Sequence, residues 1–395
     1  MIQFHRLLTK LKRYCRIVLF SKKRFTVPLR AKVLIYDGVG NGHLLRLLHP
    51  LKPEILFTRG EELNVAVFLK ALFKKGRITD AYEDCYINCV MPLVVITFID
   101  NAPRFYLLSE RYPQVKTIFV QNGWRGGVFD IFHTTLNYLA APAKARNVDI
   151  MCTFGEAIGA EYRKHITGKY IAIGSLVSNE YPVAADRKKI RRVAYISIFN
   201  ETNDFAARAV ELVLQELMCY SLSRRIPLVI VGRSTCDSEE SYYRELLGSN
   251  IEFQRRDGRH GSYKYLDESE VSVSIDSSLG YETVARHNKN AFFSVLGYFH
   301  KTNEFNFGWP ASYAEEGPFW TNKPVPAVFE RILDHLFGID GEQWQTELAD
   351  YGYANIMTYD PGNVIVKAVL KRELDEPDLA SGQASFSQNH RHSTQ

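Results

Sequence analysis

The stretch Val271–Val295 constrains the fold of this chain more than any other. Its residues, VSVSIDSSLGYETVARHNKNAFFSV, predict an apolar strand, a small polar turn, an amphipathic helix and a second apolar strand. Such a unit is typical of a parallel α/β sheet, in which ligands bind at the carboxyl ends of the strands. The turn is therefore a candidate ligand site, although a capped helix in any α/β protein would show the same local pattern.

This turn has the residues that a nucleotide needs. Ser277 and Ser278 open the helix, and the free N–H groups and positive dipole end of a helix suit a phosphate. Gly280 would allow close approach to the backbone, and Glu282 can accept hydrogen bonds from ribose hydroxyls. Arg233 follows another predicted strand and can pair with a phosphate or a sugar carboxylate. Together these residues predict a nucleotide-sugar site.

Apolar strands alternate with helical segments in two series, which predicts two parallel α/β domains. A chain of 395 residues also exceeds the usual size of a single core. We predict an acceptor-side domain over residues 31–180 and a nucleotide-sugar domain over 190–372. Residues 373–395 have few apolar side chains and predict a disordered tail.

Residues 1–30 form a separate basic segment with nine Lys and Arg and no acidic residue. Apolar residues recur in it near helical spacing, so it can lie as an amphipathic helix on an anionic membrane. The alternative is a helix packed on the body of the protein. No run approaches the roughly 20 apolar residues that span a bilayer. We therefore expect a cytoplasmic protein held peripherally at the inner face of the cell membrane.

Metal ions, cofactors and nucleic acid are not expected. The six cysteines are scattered, and Cys85 and Cys89 have no second pair or histidine nearby that would complete a zinc site. Elsewhere in the chain, the basic residues of this segment are not continued by aromatic platforms on which bases could stack. The expected partners are a nucleotide-sugar donor, a glycan or lipid-linked glycan acceptor, and the membrane surface.

Polar loops follow the predicted strands of the first half. Amide side chains, an arginine and an aromatic wall suit a sugar or a carboxylate-bearing acceptor, and Trp124 can stack on a pyranose face. Ordinary turn chemistry is the alternative, because Asn-Gly is a common turn pair. The candidate acceptor-binding residues are Asp100, Asn101, Gln121, Asn122, Trp124 and Arg125.

Three residues are catalytic candidates. Glu156 follows a strand of the first half and can act as a general acid or base across a cleft. Asp237 lies beyond the strand Leu228–Val231 and can serve as a nucleophile or base. His260 lies in an arginine-rich loop that suits an anionic donor. A helix-terminal acid, an ordinary loop aspartate and a solvated basic loop are the respective alternatives.

Several motifs together carry a resemblance to a known family. They are ITFIDN at 96–101, VQNGWR at 120–125, FGE at 154–156, GSLVSN at 174–179, YISIF at 195–199, EESYYRELLG at 239–248 and SIDSSLGYETVARHNKNAFFSV at 274–295. The chain resembles the glycosyltransferases of bacterial surface carbohydrate biosynthesis, and is most similar to the retaining β-Kdo transferase domain of O-antigen polymerases. The resemblance implies a GT-B-like α/β fold, with two Rossmann-like domains facing a cleft. It also implies a CMP-sugar donor and a retaining mechanism, for which Glu156 matches the acidic partner and Asp237 is the nearest match to the nucleophile.

The expected function is transfer of Kdo or a related ulosonic acid from a CMP-sugar to a glycan of lipopolysaccharide O-antigen or capsule. A CMP-linked sugar carries its own carboxylate and needs no metal ion to leave, and no DxD motif stands at a strand end. Three alternatives remain open: a nucleotide-sugar epimerase, a polyol-phosphate transferase and a non-catalytic glycan-binding module.

Overall fold

The first domain is built on a six-stranded sheet. The computed structural model of the protein describes residues 19–38, 40–125, 146–199, 206–258 and 260–374. The strands of this domain are β1 (Lys22–Arg24), β2 (Val33–Tyr36), β3 (Glu54–Leu56), β4 (Glu62–Asn64), β5 (Val94–Thr97), β6 (Lys116–Val120), β7 (Asn147–Thr153) and β8 (Thr167–Ala172). Its helices are α1 (Gly42–Leu48), α2 (Val65–Leu72), α3 (Ile78–Val90), α4 (Leu108–Arg111), α5 (Glu156–Arg163) and α6 (Leu176–Glu180).

The sheet has the order β3-β2-β5-β6-β7-β8, and all of its strands are parallel. Every residue of β2 (VLIY) and β5 (VVIT) is buried. Continuous apolar strands of this kind are expected where helices cover both faces of a parallel sheet. The carboxyl ends of these strands therefore lie along one edge of the domain.

The second domain has a similar plan. Its strands are β9 (Ile190–Ile196), β10 (Leu228–Val231), β11 (Glu252–Gln254), β12 (Ser269–Ser274), β13 (Lys289–Phe293) and β14 (Trp320–Thr321). The helices that follow β9 are α7 (Ala207–Arg224), α8 (Asp237–Leu247), α9 (Gly261–Glu268), α10 (Ser278–Ala285), α11 (Leu296–His300), α12 (Pro326–Gly338), α13 (Gly341–Asp350) and α14 (Val364–Leu374). The sheet order is β11-β10-β9-β12-β13-β14, again all parallel.

The predicted strand–turn–helix–strand unit is present as β12, α10 and β13. Val271 and Val273 of β12 are fully buried, and β12 lies between β9 and β13 in the centre of the sheet. The α/β class and the two parallel sheets predicted from the sequence are therefore confirmed.

The C-terminal helix α14 differs from the prediction. The sequence assigned it to the second domain, but Val366, Val369 and Leu370 pack with Val33 and Val94 of the first sheet. The chain therefore crosses back, and the helix that ends the described residues covers the first domain. An amphipathic pattern alone does not show which of two sheets an apolar face will cover.

Only part of the predicted N-terminal helix can be compared. Residues 1–18 and the predicted tail beyond 374 lie outside the described residues. Of the remainder, Lys22–Arg24 is the strand β1, which pairs in parallel with β4. Arg24 also forms a two-pronged ion pair with Glu54, with both N–O distances 2.8 Å. No helix within the described ranges is long and apolar enough to cross a membrane.

A buried arginine fixes the connection between the domains. Arg286 follows α10 and is 1% exposed. Its guanidinium pairs with Asp267 and donates to the backbone oxygens of Ser178 and Tyr181, which lie on α6 and in the linker. The linker between the two predicted domains, after residue 180, thus has a defined path against the second domain.

Candidate active site

The carboxyl ends of the two sheets meet in a cleft. Ser175 follows β8 of the first domain, and its hydroxyl donates a 2.7 Å hydrogen bond to Glu282 on α10 of the second. Trp124, in the loop after β6, donates its backbone N–H to the hydroxyl of Ser278 at 2.7 Å. Both contacts cross between the domains, so the loops that the sequence singled out in each half do lie together.

Glu282 is one turn inside helix α10 and is almost completely buried. Besides the bond from Ser175, its carboxylate accepts a hydrogen bond from the hydroxyl of Tyr263. Burial raises the pKa of Glu282, and the hydrogen bonds from Tyr263 and Ser175 together with the charges of Arg286 and His43 oppose that rise. A carboxyl group held this way can exchange its Ser175 or Tyr263 contact for a ligand hydroxyl.

The start of α10 matches the predicted phosphate site only in part. Ser277 is the N-cap residue, and its hydroxyl accepts from the backbone N–H of Leu279. Gly280, however, lies against Ser274 of β12, where a Cβ atom would collide with that side chain. Gly280 thus permits close helix–strand packing, and its role in admitting a ligand to the backbone stays a prediction.

The predicted acceptor residues are brought together, but largely by bonds to one another. Arg125 pairs with the buried carboxylate of Asp100 and donates to the Asn122 side chain at 2.5 Å. Tyr162 donates to the same Asp100 carboxylate at 3.1 Å. Asn101, on the exposed side, accepts from Arg59. These contacts hold the loop in place, and the charges of Arg125 and Asp100 balance each other.

Gln121 and Trp124 have structural contacts of their own. The amide of Gln121 is fully buried: it donates to the backbone oxygen of Gly123 and accepts from the N–H of Phe154, each at 2.9 Å. The Trp124 ring stacks on Tyr281, with ring centres 3.8 Å apart and planes at 13°. One face of Trp124 is therefore covered by protein, and the prediction that it stacks on a sugar ring can apply only to the other face.

A cluster on helices α1 and α6 was missed by the sequence analysis. His43 Nδ1 lies 2.6 Å from the carboxylate of Glu180, and Arg46 contacts the same carboxylate. Burial alone would raise the pKa of Glu180, but hydrogen bonds from Arg46 and His43 lower this pKa to about 2. Glu180 and Arg46, whose Nη2 lies 2.6 Å from the same Nδ1, together position the His43 ring, an arrangement that suits a general base. The sequence feature that could have pointed to this cluster is the set of glycines just before His43, at Gly38, Gly40 and Gly42.

His260 comes to the same cleft from the second domain. Its ring stacks on Tyr181 with centres 5.0 Å apart, and its Nδ1 is buried without a hydrogen-bond partner. Burial lowers the pKa of His260, the charge of Glu180 opposes this, and the charges of Arg46 and His43 lower it further. His260 thus lies near the His43 cluster, as expected for a residue in a shared site.

The other candidates lie apart from this cluster. Asp237 begins α8 with its side chain 84% exposed and ion-paired with Arg255. Glu156 begins α5 and is exposed. Arg233 is exposed as well, and its backbone N–H, rather than its guanidinium, bonds to the buried Glu239 at 2.8 Å. No contact in the described part of the chain joins Glu156 to Asp237, so their pairing stays a prediction.

In the described ranges, no group of three or more His, Cys, Asp and Glu side chains is arranged to hold a metal ion.

Residues 118–374 match the sequence family described as "putative O-antigen biosynthesis protein". The chain belongs to this family. The expected role in surface carbohydrate biosynthesis is therefore confirmed at the level of the family. No curated protein matches the sequence.

Solved structures agree on the fold. The wall teichoic acid polymerase TagF, soaked with CDPG, is similar with a TM-score of 0.51 at 10% identity, over 88% of this chain and 89% of that one. A protein from Listeria monocytogenes assigned as a UDP-N-acetylglucosamine 2-epimerase has a TM-score of 0.53 at 11% identity, over 88% of this chain and 98% of that one. This O-antigen biosynthesis protein thus has the GT-B-like fold of two Rossmann-like domains that the sequence predicted.

Proposed function

We propose that the protein is a transferase that moves a group from a nucleotide-activated donor to a hydroxyl of a glycan acceptor in O-antigen or capsule biosynthesis. One observation carries the proposal. His43 and Glu180 of the first domain lie where the carboxyl ends of the two sheets meet, near Glu282, which accepts from Ser175, and near His260, which stacks on Tyr181 beside Glu180.

The donor half of the proposed site is the start of α10. The nucleotide phosphate would lie against the N-terminal N–H groups of this helix, where the helix dipole favours an anion. Glu282, one turn further, would accept from the ribose hydroxyls in place of the present bond from Ser175. The bond from Trp124 to Ser278 would also open. Nucleotide binding is thus expected to change the contacts between the two domains.

The acceptor half of the proposed site uses the His43–Glu180 pair. The acceptor hydroxyl would give its proton to the free ring nitrogen of His43 while its oxygen attacks the donor carbon. The bond from that carbon to the phosphate oxygen would break, and the nucleotide would leave with the electron pair. Glu180, in contact with the ring nitrogen Nδ1, would hold the ring in position.

For the donor we propose a CMP-linked ulosonic acid such as Kdo. Such a donor brings a carboxylate as well as a phosphate. Arg46 and His43, which lie together on α1, would supply cationic and hydrogen-bonding groups to match them. A polyol-phosphate transferase is the second candidate, because a histidine–glutamate pair can activate a hydroxyl for attack on phosphorus as well as on carbon.

The test is nucleotide release from three donors: CMP-Kdo, CDP-glycerol and UDP-N-acetylglucosamine, each with a glycan acceptor. Release of CMP only from CMP-Kdo, with a new glycosidic linkage in the product, is the expected result. Release of CMP from CDP-glycerol would favour the second candidate. Formation of an epimer from the UDP-sugar, without transfer, would contradict both.

The anomeric configuration of the product, read by NMR, tests the mechanism separately. Direct displacement assisted by His43 predicts inversion. Retention would instead support a covalent intermediate, as the sequence predicted for Asp237 with Glu156.

A further inference from the structure

The end of helix α2 and the turn after it form an exposed apolar and basic tip. Val67 and Ala71 face the core, but Leu72 is 54% exposed and Phe73 is 90% exposed. The next four residues, Lys74-Lys75-Gly76-Arg77, are all exposed. The Phe73 side chain is almost fully exposed to water beside cationic residues, so it contributes nothing to the packing of this domain. It is the kind of side chain that inserts at a membrane interface.

A second segment with the same character lies beside α2. β1 pairs with β4, which leads directly into α2, and Asn64, the N-cap of α2, donates to the backbone oxygen of Thr26 at 2.7 Å. Around β1, four large apolar side chains are mostly exposed: Leu19, Phe20, Phe25 and Leu29. The two segments are thus parts of one structural unit, which we call the basic–apolar unit (residues 19–30 and 65–77).

The charge of this unit has a single sign. Its two segments contain eight Lys and Arg and no Asp or Glu: Lys22, Lys23, Arg24, Arg30, Lys70, Lys74, Lys75 and Arg77. Arg24 is paired with Glu54, and Lys22 lies 3.8 Å from Glu62. The other six have no carboxylate within ion-pair distance among the described residues. The unit therefore presents a positive surface with apolar side chains projecting from it.

We propose that the basic–apolar unit binds the surface of an anionic lipid bilayer. A second copy of the same surface would be repelled by like charge, whereas anionic headgroups would neutralise the lysines as the phenylalanines enter the interface. The inference concerns where the protein binds, and does not depend on which donor the cleft takes. It adds a folded contact to the membrane binding expected of residues 1–30.

Sedimentation of the full-length protein with vesicles tests the proposal. Vesicles of phosphatidylcholine with phosphatidylglycerol should carry the protein down at low salt, and phosphatidylcholine alone should not. K74E/K75E should weaken binding by at least about tenfold, because each cation near an anionic surface contributes about one factor of five to ten. F73S should weaken binding without changing its salt dependence.

Two variants serve as matched controls. K188E/K301E makes the same charge change at exposed sites of the linker and the second domain, and L222S removes an exposed apolar side chain of the second domain. Both should pellet like the unaltered protein. All variants alter exposed side chains, and thermal unfolding checks that each is folded.

The proposal is overturned if K74E/K75E and F73S, folded, pellet as well as the controls. It is equally overturned if F73S abolishes self-association seen by analytical ultracentrifugation while vesicle binding persists. That result would assign the exposed tip to a protein partner. Loss of vesicle binding with nucleotide release intact would leave the proposed function standing.

Discussion

Two polar clusters lie at the carboxyl edge of the first sheet, and they differ in what they leave available. In the Asp100–Arg125 cluster the carboxylate is 3% exposed and is shared between Arg125 and Tyr162. In the His43–Glu180 cluster the two side chains are partly exposed, at 18% and 24%. The hydrogen bonds of the first cluster hold a loop in place. The second cluster leaves one ring nitrogen of His43 for a substrate, and it is therefore the one suited to catalysis.

The largest effect is expected when the His43 side chain is replaced. H43Q should lower turnover by roughly a hundredfold or more, the usual contribution of a general base, and should leave the melting temperature nearly unchanged. H335Q is the matched control, because His335 contacts Glu347 at 2.7 Å in a similar pair away from the cleft. Steady-state nucleotide release measures both. Equal activity of H43Q and H335Q would remove His43 from the mechanism.

The opposite result is expected for Asp100. D100N should lower the free energy of unfolding by about 2–3 kcal/mol, less than for a fully buried pair because Arg125 keeps some contact with water. Turnover per folded molecule should change little. D80N breaks the more exposed pair with Arg104 and should cost less than about 1 kcal/mol. Chemical denaturation gives both values, and a large loss of turnover in stable D100N would make Asp100 functional.

In contrast to these two clusters of the first domain, the second domain is expected to bind the nucleotide. CMP should raise the melting temperature of the unaltered protein by a few degrees, since a ligand that binds only the folded state stabilises it. E282A should abolish that rise, because it removes the proposed ribose contact, while H43Q should retain it. Thermal unfolding with and without CMP is the measurement. An undiminished CMP response in E282A would exclude the ribose assignment.

The smallest expected effect is on acid stability. The folded-state pKa of Glu180 is lowered to about 2, so its contribution is present above the ordinary carboxyl pKa and is lost as the pH falls from about 4.5 toward 2. E180Q lacks this contribution, so its stability deficit should shrink over that range. Unfolding by urea at a series of pH values checks this. A deficit that does not vary with pH would show that Glu180 is not held by Arg46 and His43 in solution.

The sequence predicted the elements better than their contacts. The alternation at Val271–Val295 was enough to predict β12, α10 and β13, because local periodicity depends on which face is buried. It could not show that Gly280 packs on Ser274 or that Trp124 stacks on Tyr281, because those contacts depend on how two distant segments meet.

The catalytic candidates show the same limit. Glu156 and Asp237 each follow a strand, as predicted, yet Asp237 is placed in an exposed pair with Arg255. His43 and Glu180 are separated by 137 positions, and only the fold brings them to 2.6 Å. His260 was identified from the arginines around it; it stacks on Tyr181, and its catalytic role stays a prediction. A pair of distant residues leaves no local pattern in one sequence.

The central claim is that one cleft, with His43 on one side and Glu282 on the other, holds the nucleotide-activated donor. A crystal structure of the protein with CMP tests it most directly. We expect the phosphate at Ser277 and Ser278, the ribose hydroxyls on Glu282, and the bond from Trp124 to Ser278 opened. CMP bound elsewhere, with the Ser175–Glu282 and Trp124–Ser278 contacts intact, would contradict the account.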